Sequence, residues 1–100
     1  KRWAAHGRVD DAPLPRGSGR AGVRLLDDPF TTKEAVIALL TTHLDLDEER
    51  AERLMLRVHE GGRAVVGRGP WDWARQKAEA IREEARAMGF PLGVELEPEE

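Results

Sequence analysis

The sequence predicts an α+β fold, β-α-α-β-α-β in order, with a three-stranded, mostly antiparallel sheet and three helices packed on one face. Three observations predict it. Short apolar runs near 23–26, 63–67 and 92–96 have the length of strands, and the first and last alternate. Three other stretches repeat apolar residues at helical spacing. Only three strands are available and none is shielded on both sides by crossovers, so the economical packing puts the helices on one side.

Residues 1–21 read as a flexible N-terminal extension, broken by Pro13, Pro15, Gly17 and Gly19 and too poor in apolar residues to bury. Trp3 is its exception. The folded core is expected over 22–97, and 98–100 form an acidic tail expected to fray. Val23 and Leu25 alternate against Arg24 as the first strand. Asp27-Asp28-Pro29 ends it, because Pro29 cannot continue a ladder and holds Asp28 extended. Thr31 and Glu34 have capping-box spacing, with Thr31 at N-cap and Glu34 at N3. The helix that follows carries Val36, Leu39 and Leu40 on one face and is expected to end near Thr42 or His43.

Asp47 is the expected N-cap of the second helix, with Leu46 placed to staple onto Ala51. Ala51, Leu54, Met55 and Val58 form its apolar stripe, and Gly61-Gly62 stops it. Residues 63–67, with Ala64, Val65 and Val66 continuous, read as a buried strand. Gly69-Pro70 opens the third helix, with Pro70 at N1 and Asp72 in the first turn. Ala74, Ala78, Ile81, Ala85 and Met88 make its stripe, and Gly89 lies just past its end. Leu92, Val94 and Leu96 alternate with Gly93 and Glu95 as the third strand.

Composition excludes several functions. One hundred residues make one domain, too small for an enzyme-sized cleft and a second module. A net charge of −3 gives no basic field for nucleic acid. With no cysteine there is neither a disulfide framework nor a thiolate metal site, which fits a reducing, cytoplasmic setting. No apolar run approaches the roughly 18 residues of a membrane span, and no apolar h-region marks a signal peptide. His6, His43 and His59 are too scattered for a metal cluster, and no phosphate-binding glycine loop is present. Asp45, Asp47, Glu48 and Glu49 are an acidic helix start rather than a calcium loop. Ser18 has no nucleophile signature. Neither catalysis nor a cofactor is expected.

The informative residues lie in two places. Met55, Val58 and His59 share one face of the second helix. Asp27 and Asp28 sit on a turn between an apolar run and a helix start. A carboxylate and an imidazole beside an apolar patch suit a charged amine that carries a hydrophobic side chain, as the N-terminal residue of a polypeptide does. An ammonium has three donors and wants three acceptors. Plainer roles are open as well: a helix-end histidine on carbonyls, aspartates in ordinary turn chemistry, and Met55 and Val58 as core.

Leu54-Met55-Leu56-x-Val58-His59-x-x-Gly62-x-Ala64 and Asp27-Asp28-x-Phe30-Thr31 resemble the ClpS family, small adaptors that deliver N-degron substrates to an AAA+ Clp protease. The resemblance runs without a gap from about Gly22 to Glu97 and takes in Pro91-Leu92. It implies that Asp28 and His59 bind the substrate α-ammonium, with Asp27 standing where the family has a contacting asparagine. It implies a side-chain pocket at Thr31, Lys33, Val36, Met55, Val58 and Leu92. It implies docking of Asp72 and Lys77 on the N-terminal domain of the unfoldase, a substrate hand-off role for the extension, and a monomer.

Three residues depart from the family pattern. Asp27 replaces asparagine, and two adjacent carboxylates are expected to raise each other's pKa. Pro29 replaces an aspartate and stiffens the turn. Lys33 replaces a methionine at the pocket mouth, where its stem can cover apolar surface with the ammonium in water. The resemblance implies an adaptor for N-degrons that begin with Phe, Tyr, Trp or Leu, with β-branched residues disfavoured by a narrow entrance. The alternative is a divergent modulator that docks on the unfoldase with altered or lost N-degron specificity. A ribosomal stalk protein shares the architecture, but fold alone does not carry function.

Overall fold

The computed structural model describes residues 19–99. The expected extension as far as residue 18, with Trp3, His6 and Ser18, lies outside the described residues, as does Glu100. The elements are β1 (Arg20–Leu26), α1 (Lys33–Leu44), α2 (Glu48–Gly61), β2 (Arg63–Pro70), α3 (Trp71–Ala87) and β3 (Gly93–Glu99). β1 is the central strand of a β2-β1-β3 sheet, antiparallel to both neighbours. The expected fold class and element order are those observed.

Strand alternation separates the two faces of the sheet. Ala21, Val23 and Leu25 of β1 are fully buried, and Val94 of β3 pairs beside Leu25. α3 packs against all three strands, α2 against β2 and β1, and α1 against α2 and α3. Ala74, Ala78 and Ala85 are fully buried with Ile81 between them, so small side chains let α3 lie close to the sheet. The opposite face is charged. Arg24 donates from Nη2 to Glu95 Oε1 at 2.9 Å and from Nη1 to Glu97 Oε1 at 3.4 Å, and Arg68 Nε lies 2.7 Å from Glu99 Oε2.

These ion pairs explain one difference from the sequence reading. β3 runs through Pro98 to Glu99 instead of fraying, because its glutamates have arginine partners across the sheet and Pro98 sits on an edge strand. β1 likewise takes in Arg20 and Ala21, since Ala21 belongs to the core. β2 continues past residue 67 to Pro70, so Gly69, read as opening a helix, lies in the strand, where it and Gly67 make room for an aromatic ring. A Cβ on Gly69 would stand 2.6 Å from Trp73 Cε3, and one on Gly67 3.3 Å from Trp73 Cη2. Pro70 is the N-cap of α3 rather than its N1 residue, because it still pairs with Arg20 at the end of β2. The register slips between Val23 and Arg24, leaving Val66 as the extra residue of a bulge.

Helix ends follow local chemistry. Asp47 caps α2 by accepting from Arg50 N–H at 2.8 Å, and Gly62 closes it with φ of 89°, a conformation that glycine adopts without steric cost. α1 ends one residue later than expected, at Leu44, with Asp45 in the left-handed region at φ of 55°. His43 pairs with Glu84 and so ties α1 to α3. Met88 falls beyond α3 and is 40% exposed, not part of its buried stripe.

Candidate functional site

The turn after β1 is built around one carboxylate. Asp28 Oδ1 accepts the backbone N–H groups of Phe30 and Thr31, each at 2.8 Å, and Oδ2 accepts the Thr31 hydroxyl at 2.7 Å. Thr31 is thereby taken from the capping role expected of it. Thr32 caps α1 instead, its Oγ1 accepting from Ala35 N–H at 3.1 Å. Pro29 fits the bend because it has no backbone N–H that would need a partner there.

The same turn is fastened to the end of α2. Asp27 N–H donates to Gly62 O at 2.9 Å, and Asp27 Oδ1 lies 3.5 Å from His59 Nδ1. Both side chains remain accessible, at 34% and 48%. Beneath them the first turn of α1 and the inner face of α2 bring Val36, Met55 and Val58 together, each 6% exposed or less. The result is a pocket of about 260 Å³ lined by Asp27, Asp28, Thr31, Lys33, Val36, Met55, Val58 and His59 with Pro29 and Thr32. That is smaller than the roughly 300–1,000 Å³ of a drug-sized cleft and suits a single residue.

Eight of the nine residues expected at the amine site and side-chain pocket therefore line one pocket. Leu92 does not: it is 1% exposed within the core and is not among the lining residues. Asp72 and Lys77 lie apart on α3, Asp72 exposed and Lys77 half-exposed. Pro29 and Thr32 complete the pocket without having been singled out for it. Thr32 is distinguished from Thr31 as the cap only by the bond that ties the Thr31 hydroxyl to Asp28.

The electrostatics also differ from expectation. Burial pushes the Asp28 carboxyl up, but the Thr31 hydroxyl, the Thr31 and Phe30 amides and the nearby Arg86 guanidinium outweigh it. Asp28 consequently titrates below its ordinary 3.8, not above it as mutual repulsion with Asp27 implied. Arg86 is the charged group missed by sequence reasoning. Its Nη1 donates to Phe90 O at 3.1 Å and Leu92 O at 2.9 Å, so it binds the α3–β3 connection while facing Asp28 with positive charge. Burial and the Arg82 charge lower the Arg86 pKa, with Asp28 acting in the opposite direction.

A wider hollow of about 460 Å³ lies among Arg50, Arg53, Leu54, Leu56, Arg57 and Glu60. All six belong to α2, so no second element brings polar groups to converge there. Among the described residues no group of three His, Cys, Asp or Glu side chains is placed to hold a metal ion, and no helix is long and apolar enough to cross a membrane. What the smaller pocket offers is acceptors for a cation at its rim and apolar surface at its floor.

Comparison with known proteins places these elements in a family. Residues 19–95 match the family model described as ATP-dependent Clp protease adaptor protein ClpS. The ClpS adapter protein of Helicobacter pylori is 40% identical over 77% of this chain and 85% of its own length. That of Acetivibrio thermocellus is 39% identical over 77% of this chain and 78% of its own. The structure of Agrobacterium tumefaciens ClpS2 bound to L-phenylalaninamide superposes with a TM-score of 0.78 at 33% identity, covering 81% of this chain and 98% of that one. The chain belongs to the ClpS family of ATP-dependent Clp protease adaptors.

Proposed function

We propose that this chain binds the free N-terminal residue of N-degron proteins and presents them to a Clp AAA+ unfoldase. The observation that carries the reading is the convergence of Asp27, Asp28 and His59 over a floor of Val36, Met55 and Val58 in a one-residue pocket. Support comes also from the Agrobacterium tumefaciens relative, whose ligand is an aromatic residue with a free amine.

Each group has a role in this reading. Asp28 has one oxygen with a spare lone pair, since Oδ2 accepts a single hydrogen bond within the turn. Asp27 offers the less committed carboxylate. Facing His59 Nδ1, it favours the tautomer protonated there, which leaves the other ring nitrogen as an acceptor. The three together meet the three donors of an α-ammonium. Thr31, Lys33, Val36, Met55 and Val58 surround the side chain of a Phe, Tyr, Trp or Leu, and its apolar surface is removed from water at about 25 cal/mol per Å². Asp72 and Lys77 dock on the N-terminal domain of the unfoldase, the adaptor acts as a cytoplasmic monomer without catalysis or cofactor, and the segment that precedes β1 assists hand-off.

Fluorescence anisotropy with ten-residue peptides beginning with Phe, Leu, Val or Met tests this reading. Free Phe and Leu peptides are expected to bind, and N-acetylation to abolish binding by removing the charge and donors. Binding that ignores acetylation overturns the reading. Binding to none of them moves the function to a modulator that docks without reading N-termini, the alternative that Lys33 and Pro29 at the rim favour.

A further inference from the structure

We infer that Lys33 makes the mouth of this pocket selective for the second residue of the bound chain, favouring an acidic residue there over a basic one. The inference rests on the N-terminal-residue reading above. Lys33 is the first residue of α1, exposed, and part of the pocket lining. It lies one turn before Val36 on the same helical face, so it stands at the rim above the apolar floor. The helix gains nothing from it, because a cation in the first turn opposes the macrodipole.

Charge at the rim is unevenly matched. Asp28 is engaged by three hydrogen bonds inside its own turn, and Asp27 faces His59. A bound α-ammonium adds a further partner for both carboxylates. Lys33 makes no ion pair among the described residues, and its side chain is exposed. A polypeptide whose first side chain fills the pocket must leave through the mouth, and its second Cα is 3.80 Å from the first. The flexible four-carbon stem of lysine reaches a carboxylate on that residue. A lysine or arginine in the same place meets like charge.

The test compares peptides Phe-Glu, Phe-Ala and Phe-Lys, identical thereafter, with free and acetylated N-termini. Unit charges ~6 Å apart in a wet site change affinity about threefold each, so Phe-Glu is expected to bind roughly tenfold tighter than Phe-Lys at low salt. The ratio should shrink near 1 M salt, where the Debye length falls to about 3 Å. In Lys33→Glu the order should reverse. Free-amine-dependent binding with equal affinities, or an unchanged order in Lys33→Glu, overturns the inference and leaves the N-terminal-residue reading standing. Binding insensitive to acetylation, or none to any peptide, overturns both.

Discussion

Replacing Asp28 by alanine removes an acceptor from two backbone N–H groups and one hydroxyl at once. Hydrogen bonds to a charged acceptor contribute about 1.5–3 kcal/mol each when buried, and 0.5–1.5 when neutral. This turn is partly open to water, so the released amides rehydrate and each bond falls at the low end of the neutral range, about 0.5 kcal/mol. The expected loss is about 1.5 kcal/mol in total, or roughly 6–12 °C in Tm for a domain of this size. Asp28→Asn keeps a carbonyl oxygen for the two amides, so it should lose about half as much. His59→Ala is the contrast: its imidazole is half exposed and holds no backbone group in place, so Tm should move little while peptide affinity falls about tenfold. Thermal unfolding followed by circular dichroism, paired with anisotropy on the same samples, reads both quantities. An Asp28→Ala protein as stable as the parent would refute the reasoning, since the carboxylate would not be what holds the turn.

Three further outcomes follow from the same geometry. Thr32→Ala should cost about 1 kcal/mol by uncapping α1, whereas Thr31→Ala should instead loosen the Asp28 turn; urea unfolding of both measures the difference. Gly69→Ala should destabilise by about 1–3 kcal/mol, because its Cβ would stand 2.6 Å from a tryptophan ring that has no free end to swing away; a midpoint equal to the parent's in urea would count against the packing. The Asp28 carboxyl titrates below its ordinary 3.8 in the fold, so its contribution is complete above that value and is lost as pH falls further through the folded pKa. Stability measured from pH 6 to 2 should therefore drop less steeply at the acid end in Asp28→Asn than in the parent.

Much of this fold could be seen in the sequence because its signals are local. Asp47 and Gly62 bound α2 as their chemistry requires, and the alternation at Val23 and Leu25 placed the central strand. The errors arose where a distant residue decides. Gly69-Pro70 reads as a helix start until Trp73 lies against Gly69 within the strand. Pro98 and the last glutamates look frayed until Arg20, Arg24 and Arg68 meet them across the sheet. Two adjacent threonines gave no ground for preferring Thr32 until Asp28 took the hydroxyl of Thr31. The site was similar. Residues 27–36 and 55–59 were each visible as a cluster, and the hydrogen bond from Asp27 N–H to Gly62 O brings the two together. Arg86 was hidden, since nothing in its helical position signals that it faces Asp28 from another element.

The central claim is that a free amine with a hydrophobic side chain binds where Asp27, Asp28 and His59 converge. Titrating ¹⁵N-labelled protein with phenylalaninamide and with its N-acetyl form, and following amide chemical shifts, tests it most directly. The expected result is saturable shifts confined to residues 27–36 and 55–62 with the free amine, and none with the acetylated compound. Shifts confined to residues 50–54 of α2, with none at 27–36, or equal shifts with both compounds, would contradict it.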